Sequence, residues 1–280
     1  MLKRLAIALS LWASTLTAEP KLTLSSEFTF PKKIGGLSGL EIYGDGTKGV
    51  TMSDRGAVYQ LDLQRDNNTL KLVKIWNLPS TPTMHGDIEG VATLDGKTFA
   101  FSFEVPSRVK ILTPDDKITA LPNHPQFWGF KTNRQLEALA INSDGVLYTL
   151  PENPVKGINA FPLFAYKDDT WDIVAAISKI GRFKMVGADF GPDGLLYLLE
   201  RAVTPLGFRS RIRRFDLSKT TADKPLLGET LLSTWPSVHD NLEGISLWRD
   251  SDGQTRITMV ADNNFNAIQT SELVEYILTE

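Results

Sequence analysis

The chain has no cysteine and only three histidines among its 280 residues. The missing thiols exclude a disulfide framework, a thiolate nucleophile and cysteine-liganded zinc. Stability must then come from a buried core or a bound ion. There is no basic tract either. Thirty basic residues face 33 acidic ones, a net charge of −3, which excludes a nucleic-acid partner. No segment after residue 18 approaches the roughly 18 apolar residues of a membrane span, so the mature chain is expected to be free of one. Several catalytic patterns are also absent: a Walker loop, a dinucleotide fingerprint, His-Glu-x-x-His and Arg-His-Gly. Gly36-Leu37-Ser38-Gly39 lacks the spacing of a serine nucleophile elbow.

The first eighteen residues are different in kind. Met1-Leu2-Lys3-Arg4 is basic, Leu5 to Leu16 is mostly apolar, and Thr17-Ala18 is small. That is the order of an export signal. The expectation is a signal peptide over 1–18, a mature domain over 19–280, and a periplasmic or secreted bacterial protein. Loss of Lys3 and Arg4 takes the net charge to −5.

The rest of the chain repeats. Units begin near Leu37, Ile88, Leu136, Val186 and Leu242, at spacings of 51, 48, 50 and 56 residues. Each unit opens on a short apolar strand, as in Glu89-Gly90-Val91-Ala92. A hairpin turn follows: Asp45-Gly46, Asp95-Gly96, Asp144-Gly145, Asp193-Gly194 and Asp252-Gly253. A second and a third strand come next. A fourth is visible in units one to four, as in Leu70–Trp76 and Trp171–Ile177. Four strands per 50 residues is a propeller blade. Unit five ends after its third strand, and the alternating segment Lys21–Phe30 is available to complete it, closing the ring. The predicted fold is all-β, a β-propeller of five four-stranded blades, with six as the alternative. The tryptophans, including Trp76, Trp128 and Trp248, read as packing.

In a propeller the first strand of each blade lines the channel, and its start lies beside the end of the second. The starts carry Ser38, Glu89, Glu137, Gly187 and Glu243; the ends carry Asp54, Glu104, Glu152, Glu200 and Asp262. The prediction is eight carboxylates at one channel mouth. At about 6 Å and an effective dielectric near 20, each like pair repels by roughly 3 kcal/mol. Such a ring needs arginine or a cation. Arg55, Arg134 and Arg201 are the candidate anion clamps. Glu89, Glu137, Glu152, Glu243, Asp262 and the amide oxygen of Asn263 are the candidate metal ligands. An all-oxygen set suits Ca²⁺ first and Mg²⁺ second. His85 and His239 each stand four residues before a ring glutamate and are the candidate acid–base groups.

An ordered set of phrases then stands out. It comprises Gly36-Leu37-Ser38-Gly39-Leu40 with Ser53-Asp54-Arg55-Gly56; Asp87-Ile88-Glu89-Gly90; Asn133-Arg134-Gln135-Leu136-Glu137-Ala138-Leu139; Leu199-Glu200-Arg201 followed by Gly207-Phe208 and Arg211-Ile212-Arg213; and Asp240-Asn241-Leu242-Glu243-Gly244 with Asp262-Asn263-Asn264-Phe265-Asn266. In these the chain resembles the phytase-like propeller family of exported bacterial proteins, described as having an esterase-like activity of phytase. The resemblance implies a propeller, export, and hydrolysis of phosphate or carboxylate esters. One departure concerns the metal: Asn263 stands where the family tends to carry a second acid, which weakens coordination there.

Two functions of different class follow. One is a metal-assisted hydrolase of a small-molecule ester or phosphoester at the acidic mouth. The other is a non-catalytic ligand- or partner-binding propeller whose ion is structural, since the fold hosts both.

Overall fold

The computed structural model describes residues 19–78, 86–129, 136–154 and 157–280. His85 and Arg134 lie outside the described residues. The strands form five four-stranded antiparallel sheets. Blade one is β2 (Leu37–Tyr43), β3 (Lys48–Ser53), β4 (Val58–Asp66) and β5 (Thr69–Leu78). Blade two is β6 (Ile88–Ala92), β7 (Phe99–Phe103), β8 (Arg108–Leu112) and β9 (Ile118–Ala120). Blade three is β10 (Leu136–Ile141), β11 (Leu147–Pro151), β12 (Ala160–Lys167) and β13 (Thr170–Ser178). Blade four is β14 (Lys184–Phe190), β15 (Leu196–Thr204), β16 (Gly207–Phe215) and β17 (Glu229–Ser233). Blade five is β18 (Asn241–Arg249), β19 (Thr255–Asp262), β20 (Glu272–Thr279) and, on its outer edge, β1 (Lys21–Thr29). The inner strands meet in the order β2, β6, β10, β14, β18 and back to β2. The ring therefore has five blades, and the N-terminal strand Lys21–Thr29 closes it by pairing with Glu272–Thr279.

The turn glycines do what the sequence implies. Gly46, Gly96, Gly145, Gly194 and Gly253 all have φ between 65° and 81°, a left-handed conformation that glycine adopts without penalty. The core is divided among the blade junctions. One apolar cluster lies between each neighbouring pair of blades, for example Val50, Met52 and Val58 of blade one against Ile88, Phe101 and Phe103 of blade two. Junctions also carry buried charge. Glu275 of β20, fully buried, takes Arg256 of β19 and, across the closure, Arg65 of blade one at 2.6 Å.

A second set of glycines serves space rather than conformation. Each inner strand carries a bulge just after its first or second residue. The next position is Gly39, Gly90, Ala138, Gly187 or Gly244. None of these glycines has a positive φ. A Cβ on Gly244 would lie 2.6 Å from the Ser38 carbonyl oxygen and 2.7 Å from the Leu40 nitrogen; on Gly90, 2.8 Å from the Glu137 carbonyl oxygen. Inner strands of a five-bladed ring pack backbone to backbone there. Gly244→Ala is expected to cost about 1–3 kcal/mol by overpacking, read as a lowered thermal midpoint. A midpoint equal to wild type would contradict this packing.

Candidate functional site

The register explains why carboxylates recur. Leu37 pairs with Ser53, Ile88 with Phe103, Leu136 with Pro151, Met185 with Glu200, and Leu242 with Ala261. The next residue on each inner strand is the bulged one: Ser38, Glu89, Glu137, Val186 and Glu243. The bulge turns that side chain toward the axis, where an alternating strand would bury it between blades. The next residue on each second strand is Asp54, Glu104, Glu152, Arg201 and Asp262. These ten positions surround one end of the channel.

Two of the predicted positions are corrected by one residue. Glu200, not its neighbour, pairs with Met185, so Arg201 takes the ring position and Glu200 faces the other way. A one-residue slip sends a side chain to the opposite face. Glu200 is 0% exposed and is held by Arg213 at 2.7 and 2.8 Å and by Arg211, outside the mouth. On the inner strand, likewise, Val186 and not Gly187 occupies the ring. Among the described residues, these ten positions thus carry seven carboxylates and one guanidinium.

Arg201 is the hinge of the arrangement. It reaches from blade four to Glu152 of blade three at 3.4 Å and contacts Glu243 of blade five. It also donates to the Asn241 side-chain oxygen at 2.7 Å, and Asn241 in turn donates to Glu243 at 2.7 Å. Its Nε has no protein partner. Lys184 adds a second cation to Glu152 at 2.9 Å. Glu89, Glu137 and Glu243 line a constriction of about 10 Å³, the least that one water or small ion requires. Their side chains keep some contact with solvent through the channel while protein surrounds them. Burial pushes the carboxyls of Glu89 and Glu137 well above the usual range; Glu137 and Glu243 add repulsion on Glu89, and Glu152 and Glu243 add it on Glu137. Burial raises Glu243 as well, against the pull of Arg201. Asp262 is pushed up to about 7, again by burial first and by Glu243 second.

Sequence reasoning overlooked Asp87. Its carboxylate converges with those of Glu89 and Glu104, with ligand oxygens all within 4.8 Å of one another. Asp87 stands just before β6, two residues from the bulged Glu89, and the Glu104 amide donates to the Asp87 carbonyl at 2.9 Å. The Asp-x-Glu spacing opposite a strand-end Glu was the available signal. The donor set is all oxygen and all anionic, which fits a hard divalent cation. Asn263 is placed otherwise. Its Oδ1 accepts from the backbone of Gly36 at 3.4 Å and Phe265 at 2.9 Å, and its Nδ2 donates to Ile34. It ties the loop down. Arg55 is exposed and lies over the Phe265 ring at 3.4 Å, at the rim.

His239 stands apart from the ring. Its Nε2 is 2.7 Å from the Tyr276 hydroxyl and its Nδ1 is 3.4 Å from Glu27. Burial lowers its pKa, against the attraction of Glu27. His124 packs on Phe127 and Phe164.

A second acidic pair, unforeseen in the sequence, lies further along the inner strands. Glu41 of β2 and Asp189 of β14 meet around Ser246 of β18. Ser246 donates to Glu41 at 3.3 Å, and the Leu247 and Phe190 amides donate to Asp189 at 2.6 and 2.7 Å. Burial, and then Asp189, pushes Glu41 well above the usual range; burial pushes Asp189 up to about 7. Both groups hold protons more tightly in the folded chain than in the unfolded one. Their contribution to stability is therefore complete below about pH 4 and is lost as the pH rises, for Asp189 through about 7. The thermal midpoint is expected to fall between pH 5 and pH 8, and Glu41→Gln is expected to flatten that slope. An unchanged slope in the variant would contradict the assignment.

Among curated proteins no relative matches. Solved structures of similar fold include the PQQ-bound aldose sugar dehydrogenase of Streptomyces coelicolor, at 12% identity and a TM-score of 0.52, covering 94% of this chain and 99% of that one. Virginiamycin B lyase from Staphylococcus aureus gives 14% identity and a TM-score of 0.44, covering 91% and 74%. Regucalcin, a calcium-binding protein from Agrobacterium tumefaciens, gives 8% and 0.48, covering 86% and 90%. At these identities the likeness is one of fold. No helix among the described residues is long and apolar enough to cross a membrane. The phytase-like family, described by its esterase-like activity of phytase, matches residues 32–265. With nearly all of the propeller inside that match, including every residue of the acidic mouth, the chain belongs to the phytase-like family.

Proposed function

We propose that the chain is an exported hydrolase of phosphate or carboxylate esters whose reaction takes place at the acidic mouth, with a small-molecule substrate. The carrying observation is that Arg201 bridges acids of blades three and five at a mouth where, among the described residues, carboxylates of four blades stand, in a chain of the phytase-like family. Arg201 is held from two sides, so its fork is fixed before a substrate arrives and can orient an anionic oxygen. Glu137 faces the same constriction from blade three and is the carboxyl assigned to proton transfer at the leaving oxygen. Asp87, Glu89 and Glu104 are the residues that would hold a cation, Ca²⁺ first and Mg²⁺ second. Such an ion, when bound, polarises an ester oxygen and acidifies a water. The leader at 1–18 supports export to the periplasm or beyond.

A binding propeller is the second reading, favoured by the pairing of Arg201 with Glu152 and Glu243. Calcium separates part of the question. In EDTA the mature chain is expected to melt lower than with millimolar calcium, by roughly 5 °C if the site is well saturated. Asp87→Asn combined with Glu104→Gln is expected to remove that response. No calcium-dependent shift in wild type would remove the cation from the proposal.

A further inference from the structure

Exposed large apolar side chains concentrate beside the mouth. Leu206 is 75% exposed, Trp235 81% and Ile268 88%, with Val203 and Val238 also open to solvent. They come from three connections on the mouth side of blades four and five: the β15–β16 hairpin, the segment before β18, and the β19–β20 loop. Val203, Val238 and Ile268 edge a cleft of about 630 Å³ whose floor includes Asp240 and Glu272. The cleft is built, not incidental. Ser237 donates its amide to the Phe208 carbonyl at 2.9 Å and its hydroxyl to that of Leu206, which ties the hairpin to the neighbouring segment. Asp240 is fixed by the Thr270 amide at 2.6 Å and by Gln269 at 3.2 Å.

The cleft adjoins ring residues along two strands. Asp240 of its floor precedes Asn241, which bonds Arg201 and Glu243. Val203 of its rim lies two residues beyond Arg201 on β15 and therefore on the same strand face. Charge divides the two spaces. No lysine or arginine lines the cleft, its histidine is His239, and its acids repel an anion; Arg201 of the ring, two residues before Val203, has an unpartnered Nε.

We propose that this cleft binds the uncharged apolar group of an amphipathic anion whose charged end lies on Arg201. This rests on the ester-hydrolase reading for its substrate: a phosphate or carboxylate ester of an apolar alcohol or acid, not a densely charged polyphosphate.

The test avoids turnover. N-Phenyl-1-naphthylamine fluorescence reports occupancy of the cleft, and alkyl phosphonates from butyl to octyl, which carry no ester bond, displace it. In wild type the displacement constant is expected to fall about fourfold per added methylene. Ile268→Glu and Val203→Glu, on exposed positions, are expected to abolish that dependence while leaving the thermal midpoint unchanged. Arg201→Gln is expected to weaken every chain length alike. Affinities independent of chain length, or a dependence that survives Ile268→Glu, would overturn the proposal. Ester turnover is read separately. A chain that shows the length dependence but hydrolyses no ester keeps the cleft and loses the hydrolase reading.

Discussion

Arg201→Gln is expected to lower kcat/KM for ester hydrolysis by roughly 10²–10³-fold, the usual loss when a fixed donor to a developing negative charge is removed. Arg201 reaches Glu152, Asn241 and Glu243 from a strand between their blades. Its geometry is therefore set by three partners and not by the substrate. Removing it also leaves two carboxylates facing each other, so a loss of stability will accompany the loss of rate. Arg201→Lys separates the two effects. A lysine restores the charge and much of the thermal midpoint, but not the planar fork. The expected result is a Lys variant that melts close to wild type and remains at least tenfold impaired in kcat. A Lys variant with wild-type kinetics would show that only charge balance is needed, and would favour the binding-propeller reading.

Glu200→Ala is expected to cost about 3–5 kcal/mol, the cost of leaving buried charges without a partner. Glu200 and Arg213 are both 0% exposed at the side chain, and Arg211 is nearly so. Arg213 grips the carboxylate through Nε and Nη2, and its remaining donors go to the carbonyls of Ser178 and Leu227. The pair thereby links blade four to the last strand of blade three. At roughly 2–4 °C per kcal/mol for a domain of this size, the midpoint falls by about 10 °C. Replacing Glu200, Arg211 and Arg213 together by methionine and leucine should recover most of the loss, because no buried charge is then stranded. Urea unfolding of the single and triple variants measures both. A single variant as stable as wild type would mean that the arginines find other partners.

Much of this architecture is legible in the sequence because it rests on local chemistry repeated five times. The Asp-Gly turns, the apolar inner strands and the alternating Lys21–Phe30 segment each report a strand or hairpin, and the period assembles them. Glu89, Glu137 and Glu243 were legible as ring residues for the same reason. Blade four was misread by one residue because Val186 replaces the acid there, so no carboxylate marked the register; Glu200 then looked like the ring member when Arg201 was. Asp87 was overlooked because it precedes its strand, and only pairing with the start of the β7–β8 turn brings Glu104 beside it. His239 misled through proximity along the chain: four residues separate it from Glu243, but Tyr276 and Glu27 hold it in blade five. The long β15–β16 hairpin that walls the cleft carries no turn signal of the Asp-Gly kind, and its extension to Thr204 and Gly207 came only with the structure.

The most direct measurement is steady-state hydrolysis of 4-nitrophenyl phosphate and 4-nitrophenyl butyrate by the mature chain in calcium buffer, beside Glu137→Gln. Wild type is expected to turn over at least one ester, and the variant is expected to lose that turnover while still melting cooperatively. Folded wild-type protein that hydrolyses neither ester, or a Glu137→Gln variant of undiminished activity, would contradict it.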